Sequence, residues 1–183
     1  MHRSVLTLML VTAAPAALAA QSASATTDAA SARVGAEAAR RSWHTVTQYI
    51  TSAAEQVPEA DYAFKPTPAV RSFGELVGHL AGAQNMFCAL ALGEEAPAED
   101  AVEKNVTGKE GLVAALKQST DYCNRAYAQA DAALAARTTL FGQQSDRMSV
   151  LTLNAVHNGE HYGNMVTYMR IKGMVPPSSQ PRR

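Results

Sequence analysis

Nothing in this chain is built to grip a polyanion. Its 16 lysines and arginines are matched by 16 aspartates and glutamates, so the formal charge is zero. No basic stripe with interleaved aromatics runs through it, which argues against nucleic-acid binding. Strand signals are missing too: no stretch alternates apolar and polar residues convincingly, and Thr138 to Phe141 is too short to count. Long apolar runs are scarce, the one near the start being short and broken by Pro15, a poor membrane span. Cysteine is limited to two residues and histidine to five. After His161 there is no aspartate or glutamate.

At 183 residues the chain has room for one domain with a proper core and not for two comfortable ones. Met1-His2-Arg3 supplies a basic n-region, Val5 to Ala16 an apolar h-region, and Ala17-Leu18-Ala19 a small-x-small cleavage site. Residues 1–20 therefore read as a signal peptide, cut near Ala19 or Ala20. That implies a periplasmic or secreted protein with no stable membrane anchor afterwards; an uncleaved anchor is the alternative. Residues 21–31, rich in Ala, Ser and Thr without apolar period, read as a flexible leader. The folded domain is expected over 32–177, with a tail at 178–183.

Four segments carry helical periodicity. The first runs from about Ala32 to Gln56, with Trp43, Val46, Ile50, Ala53 and Val57 three and four apart, until Pro58 stops it. His44 falls off that stripe and reads as solvent-facing. Ser72-Phe73-Gly74-Glu75 is a capping box opening the second helix, which carries Leu76, His79, Ala83, Met86 and Leu90 on one stripe and ends near Leu92-Gly93. Thr107-Gly108-Lys109-Glu110 reads as a second capping box, opening a third helix that runs out near Arg137. The fourth begins around Asp146 to Ser149, presents Val150, Leu153, His157, Glu160/His161, Asn164, Tyr168 and Ile171, and stops at Gly173 with Pro176-Pro177. The expected fold is all-α, a four-helix bundle.

The link from Gly93 to Val106 is long enough to travel back along a helix of about 30 Å, so helices two and three can run parallel. Cys88 lies 16 residues after Ser72 and Cys123 lies 16 after Thr107. The two thiols share a height only if those helices are parallel, and export exposes them to an oxidising compartment. A Cys88–Cys123 disulfide is the expectation, two unlinked buried thiols the alternative.

His157 and His161, spaced i, i+4, project their imidazoles from one helix face. With helix four antiparallel to helix two, His79 is about 14 residues from their shared end and the pair about 9 to 13, a mismatch of about one turn or less. Three such histidines can hold one divalent metal with a position left open. The competing reading is hydrogen-bonded core histidines. Neutral imidazoles suit zinc, nickel or iron. Glu160, one residue before His161, is the candidate general base, or alternatively an orienting or solvated carboxylate. Asn164 and Tyr168 can line a pocket, and Asn158 and Gly159 read as residues that only allow close helix approach. The run also matches His-x-x-Glu-His of the inverted zinc peptidases. Their acidic third ligand further along the chain has no counterpart here.

These residues resemble the DinB-like (YfiT-like) metalloenzyme family over most of the chain from Trp43 to Pro177. The resemblance rests on Phe64-Lys65-Pro66-Thr67-Pro68, on Phe73-Gly74-Glu75-Leu76-Val77-Gly78-His79-Leu80, on His157-Asn158-Gly159-Glu160-His161-Tyr162-Gly163, and on Met169 to Gly173 running into Pro176-Pro177. It implies an up-down-down-up bundle with its second and third helices parallel. It implies a divalent metal held by His79, His157 and His161, for which the imidazole donors make zinc or nickel the expectation, with iron also suitable. It further implies a homodimer, as members often are, and in some members metal-assisted transfer or isomerisation with mycothiol, bacillithiol or glutathione. The open metal position itself leads to the expectation of a hydrolase or transferase acting on a small-molecule substrate. The signal peptide and the cysteine pair depart from the common cytoplasmic members. A non-catalytic metal-binding or interaction bundle is the other reading.

Overall fold

The computed structural model describes residues 33–181. The expected signal peptide, the leader and the last two residues of the tail lie outside the described residues. Helix α1 spans Val34–Gln56 and buries Trp43, Thr47, Ile50, Ala53 and Ala54. His44 is exposed, off the buried stripe. Helix α2 spans Phe73–Leu92 behind the expected capping box: Ser72 Oγ accepts from Glu75 N, and Glu75 Oε2 accepts from Ser72 N at 2.6 Å.

The crossover that follows contains a short helix, α3 (Ala101–Asn105), for which the sequence offers no periodic signal. Helix α4 spans Lys109–Tyr127, and its start corrects the second capping box. Gly108 occupies the cap with φ +76° and no side chain bonds the first turn, so Thr107 does not serve as cap. The helix also stops well short of Arg137. A turn leads into α5 (Asp131–Leu134).

A two-stranded hairpin then corrects the expectation of no strands. β1 (Arg137–Leu140) pairs antiparallel with β2 (Gln143–Asp146) across Phe141 and Gly142, both at positive φ. That backbone matches a primed hairpin turn. Neither strand buries a residue, and the one that alternates, β1, does so only between exposed and half-buried over four residues, so little of the pairing is written into the sequence. Helix α6 (Arg147–Ile171) follows, capped by the Asp146 carboxylate accepting from Ser149 N at 2.7 Å.

Contacts fix the directions of the four long helices. Going up α2, a Cβ at Gly74 would meet Leu112, Gln84 donates to Ser119, Cys88 is bonded to Cys123, and Ala91 O accepts from Gln129. Both numbers rise together, so α2 and α4 are parallel. Against α6 the order reverses: Arg71 meets Tyr168, His79 meets His161, and Cys88 meets Asn154. Helix α1 runs with α6, Tyr49 stacking on Tyr162 and Gln56 donating to Val175 O. The result is up-down-down-up. Cys88 and Cys123 form a disulfide with Cα atoms 5.3 Å apart.

Two apolar clusters fill the bundle, one around Ile50, Leu80, Leu116 and Met165, the other around Trp43, Phe87, Tyr127 and Leu151. Buried polar groups lie where they meet. Trp43 Nε1 donates to Gln84 Oε1 at 2.8 Å, and Gln84 Nε2 donates to Ser119 Oγ at 3.1 Å. Asn158 Nδ2 reaches Gln84 Oε1 at 3.5 Å. This layer corrects the inner face expected for the fourth helix. Leu153 and Ile171 are exposed, whereas Leu151, Asn154, Asn158, Tyr162, Met165 and Met169 are buried. Two asparagines on the buried face disguise it as a polar one. Asn158 is thus an interior residue, and a Cβ at Gly159 would meet nothing within 4 Å, so neither serves close helix approach.

Candidate metal centre

His79 is brought to the α6 side of α2 by the cap that sets the phase of its helix, and it is almost fully buried. Its Nε2 lies 3.1 Å from His157 Nε2 and 3.2 Å from His161 Nε2. All three ligand atoms fall within 4.8 Å of one another. Ligands about 2.0–2.1 Å from a tetrahedral zinc ion stand about 3.3 Å apart, so the observed spacing is close to that of a coordination shell.

The donor set fits a cation for a second reason. Burial, first of all, holds the His79 imidazolium down to a pKa of about 3, with Arg71 and then the two neighbouring imidazoles adding to it. Burial likewise brings His157 to about 4, followed by the influence of His161 and Arg71. His161 is lowered mainly by burial. At neutral pH the three rings are therefore uncharged. Three neutral rings aiming Nε2 at one point cannot satisfy one another through hydrogen bonds, because each has one donor and one acceptor. A divalent ion accepts all three lone pairs. His161 Nδ1 has Asn164 Nδ2 at 3.3 Å, whereas His79 Nδ1 and His157 Nδ1 are buried without a hydrogen-bond partner.

The walls come from several elements. Phe87 packs edge-on against His157, and Phe141 at the hairpin tip packs edge-on against Phe87. On the other side a cleft of about 740 Å³ opens beside His161, lined among others by Arg71, Glu103, Asn164 and Tyr168. Tyr168 OH donates to Arg71 O at 2.8 Å, and Arg71 Nε donates to both Glu103 oxygens at 3.0 and 3.2 Å. Asn164 and Tyr168 thus lie at the cleft, as the sequence suggested. Glu160 is exposed on α6, and among the described residues its carboxylate pairs with no cation; its charge raises the His161 pKa against the effect of burial.

Two acids escaped the sequence reading. Glu99 Oε1 lies 3.8 Å from both His79 Nε2 and His157 Nε2, and Glu103 Oε2 lies 3.7 Å from His79 Nδ1. Both belong to the crossover, which rests on α2 at two glycines beside His79. A Cβ at Gly78 would come 2.9 Å from Glu103 Cα, and one at Gly82 would drive into the Glu99 carbonyl oxygen. Only glycine permits that approach. The signal was present as acidic residues in a link that had to return along α2, together with glycines flanking His79.

Fold and site together define a four-helix bundle with a long crossover and a three-histidine centre able to bind a metal. The chain belongs to the DinB superfamily, whose sequence model matches residues 42–165. Among solved structures it is similar to a DinB-like protein from Bacillus cereus, at 17% identity and TM-score 0.67, over 77% of this chain and 95% of that one. It is similar to the DinB-like protein YjoA from Bacillus subtilis, at 22% identity and TM-score 0.63, over 79% and 99%. It is also similar to YfiT from Bacillus subtilis, described as a probable metal-dependent hydrolase with an unusual four-helix bundle topology, at 15% identity and TM-score 0.62, over 76% and 89%. No protein of curated function matches the chain.

Proposed function

We propose that this is an exported metal-dependent enzyme, a hydrolase or thiol transferase acting on a small molecule, with one divalent ion held by His79, His157 and His161. The observation that carries the reading is the convergence of three uncharged Nε2 atoms beside a cleft. Zinc or nickel is the expected ion, and iron also suits such a donor set. A metal in such a position lowers the pKa of water or a thiol, or polarises a carbonyl. The similarity to YfiT supports hydrolase chemistry. Export is supported by the basic, apolar and small-residue order of the first 20 residues and by the disulfide. Among the described residues no helix is long and apolar enough to cross a membrane.

The protein's own groups divide the remaining work. The histidines orient the ion, and the Arg71–Glu103 pair and Tyr168 shape the cleft in which a substrate of small-molecule size fits. Glu160, on the exposed side of α6, is the carboxylate assigned to proton transfer. The decisive measurement is the metal content of the mature protein expressed in the periplasm, by elemental mass spectrometry, beside a His157→Ala, His161→Ala double variant. About one equivalent in the parent, lost in the variant, is expected. A parent that folds as a helical protein yet stays empty after reconstitution overturns the reading.

A further inference from the structure

The histidines supply three donors, and the crossover brings a fourth group to the same point. Glu99 Oε1 is 3.8 Å from two of the three converging nitrogens. Its carboxylate is 34% exposed, and among the described residues it faces no lysine or arginine within ion-pair distance. An oxygen and a nitrogen bound to the same tetrahedral ion, at about 2.0–2.2 Å each, stand roughly 3.4 Å apart. Glu99 is thus about half an ångström outside a ligand's place, a distance that side-chain rotation covers. A water between carboxylate and ion would set the oxygen about 4–5 Å from the ring nitrogens. The observed 3.8 Å falls between the two separations, and the cobalt spectrum distinguishes them, because only a direct ligand's loss moves the bands.

The backbone supports the same assignment. Gly78 and Gly82 are one turn apart on α2 and bracket His79, and they are where the crossover lies against the helix. Contact at Gly82 is with the carbonyl oxygen of Glu99 itself. The position of this carboxylate is therefore set by the packing of its own backbone, whereas Glu160 stands free on an exposed helix face.

We infer that Glu99 is the fourth protein donor of the metal centre, carried on the crossover and completing a three-histidine, one-carboxylate set. The inference rests on the metal reading above. Because the carboxylate is partly exposed and otherwise unanchored, a substrate donor can displace it, leaving a free carboxylate beside the reacting group. The set also gives the ion one hard oxygen donor among three nitrogens, a mixture suited to zinc or iron more than to copper(I).

The test is titration of zinc into the chelator-stripped mature protein, followed by competition with a chromophoric chelator, and the visible spectrum of the cobalt-loaded form. Glu99→Gln should weaken zinc by at least about tenfold, since even outer partners of metal ligands contribute about 10–100-fold. It should also shift the cobalt bands. Glu103→Gln removes the same charge from the Nδ1 side of His79 and should weaken zinc less, with the cobalt bands unmoved. Circular dichroism confirms that each variant is folded. If Glu99→Gln and Glu103→Gln weaken zinc equally and neither moves the bands, Glu99 acts only as a nearby charge and the inference fails. If His157→Ala abolishes binding while Glu99→Gln does not alter it, the inference fails and the three-histidine centre stands. If the parent binds neither zinc nor cobalt, the metal reading falls and takes this one with it.

Discussion

Helix α2 lives in two different environments along its length. Near Cys88 it is tied covalently to α4 and surrounded by Trp43, Phe87, Tyr127 and Leu151, all buried. About two and a half turns earlier, around His79, the same helix meets a thin crossover, three converging imidazoles and an open cleft. The first region is closed by packing and a covalent bond, and the second is held by close backbone approach between the crossover and α2. A well-packed end can hold the other in place when both share one rigid helix. Stability and function should therefore respond separately to mutation in the two regions.

The largest effect is expected from Trp43→Ala. Trp43 is fully buried, stacks on Tyr127 at 4.4 Å and donates to Gln84 Oε1. Truncation should cost about 3–5 kcal/mol and leave the Gln84 amide short of a partner. Urea unfolding measures it; a loss below about 1 kcal/mol would show that the packed end does not carry the stability assigned to it.

Opening the disulfide comes next. The bridge closes a sequence separation of 35 residues, so the Cys88→Ala, Cys123→Ala pair should cost about 2–4 kcal/mol in urea. Zinc affinity should change little, because the side chain that reaches the sulfurs is Asn154, whose other partner is Tyr127 and not a histidine. A variant with wild-type stability but weakened zinc would reverse the comparison.

How much of this contrast was legible depends on what kind of signal each part leaves. The four long helices and the Ser72 cap follow from periodicity and a local motif, because both depend on neighbours in sequence. The disulfide and the histidine heights came from counting residues between caps. Of the two counts' starting points, Thr107 proved not to be a cap. The pairing survives because the start of α4 is displaced by only a residue or two. Glu99 and Glu103 were illegible, since their placement depends on where a link without periodicity touches a helix. The inner face of α6 was misread because Asn154 and Asn158 turn inward and send their amide N–H groups to Tyr127 OH and Gln84 Oε1, partners no local pattern announces. The hairpin was passed over because it is exposed, and its turn relies on positive φ at Phe141 as well as at Gly142.

On the open side, Gly82→Ala should act in the opposite sense to the disulfide. The added Cβ would strike the Glu99 carbonyl oxygen, and that neighbour is backbone, which must shift as a unit. A loss of about 1–3 kcal/mol is expected from the overpacking. The more telling readout is zinc, which should bind more weakly as the crossover lifts off His79. Unfolding and zinc competition on the same sample separate the two effects. Unchanged zinc binding would mean that the crossover can move without the centre noticing.

The smallest effect should come from Ser72→Ala, and it locates the boundary between the two environments. Ser72 Oγ accepts from Glu75 N at 3.2 Å, and losing a cap of this kind costs about 1 kcal/mol. Glu75 can still accept from Ser72 N, and its carboxylate also pairs with Lys65 Nζ at 2.8 Å, so half of the box survives. The first turn should fray more easily, but His79 lies nearly two turns further in and is held by the packing of Val77 and Leu80. A fall of about 1 kcal/mol in urea with zinc affinity unchanged would place His79 on the rigid side of that boundary. A parallel loss of zinc affinity would show that the helix start, and not the packed core alone, sets the position of the ligand.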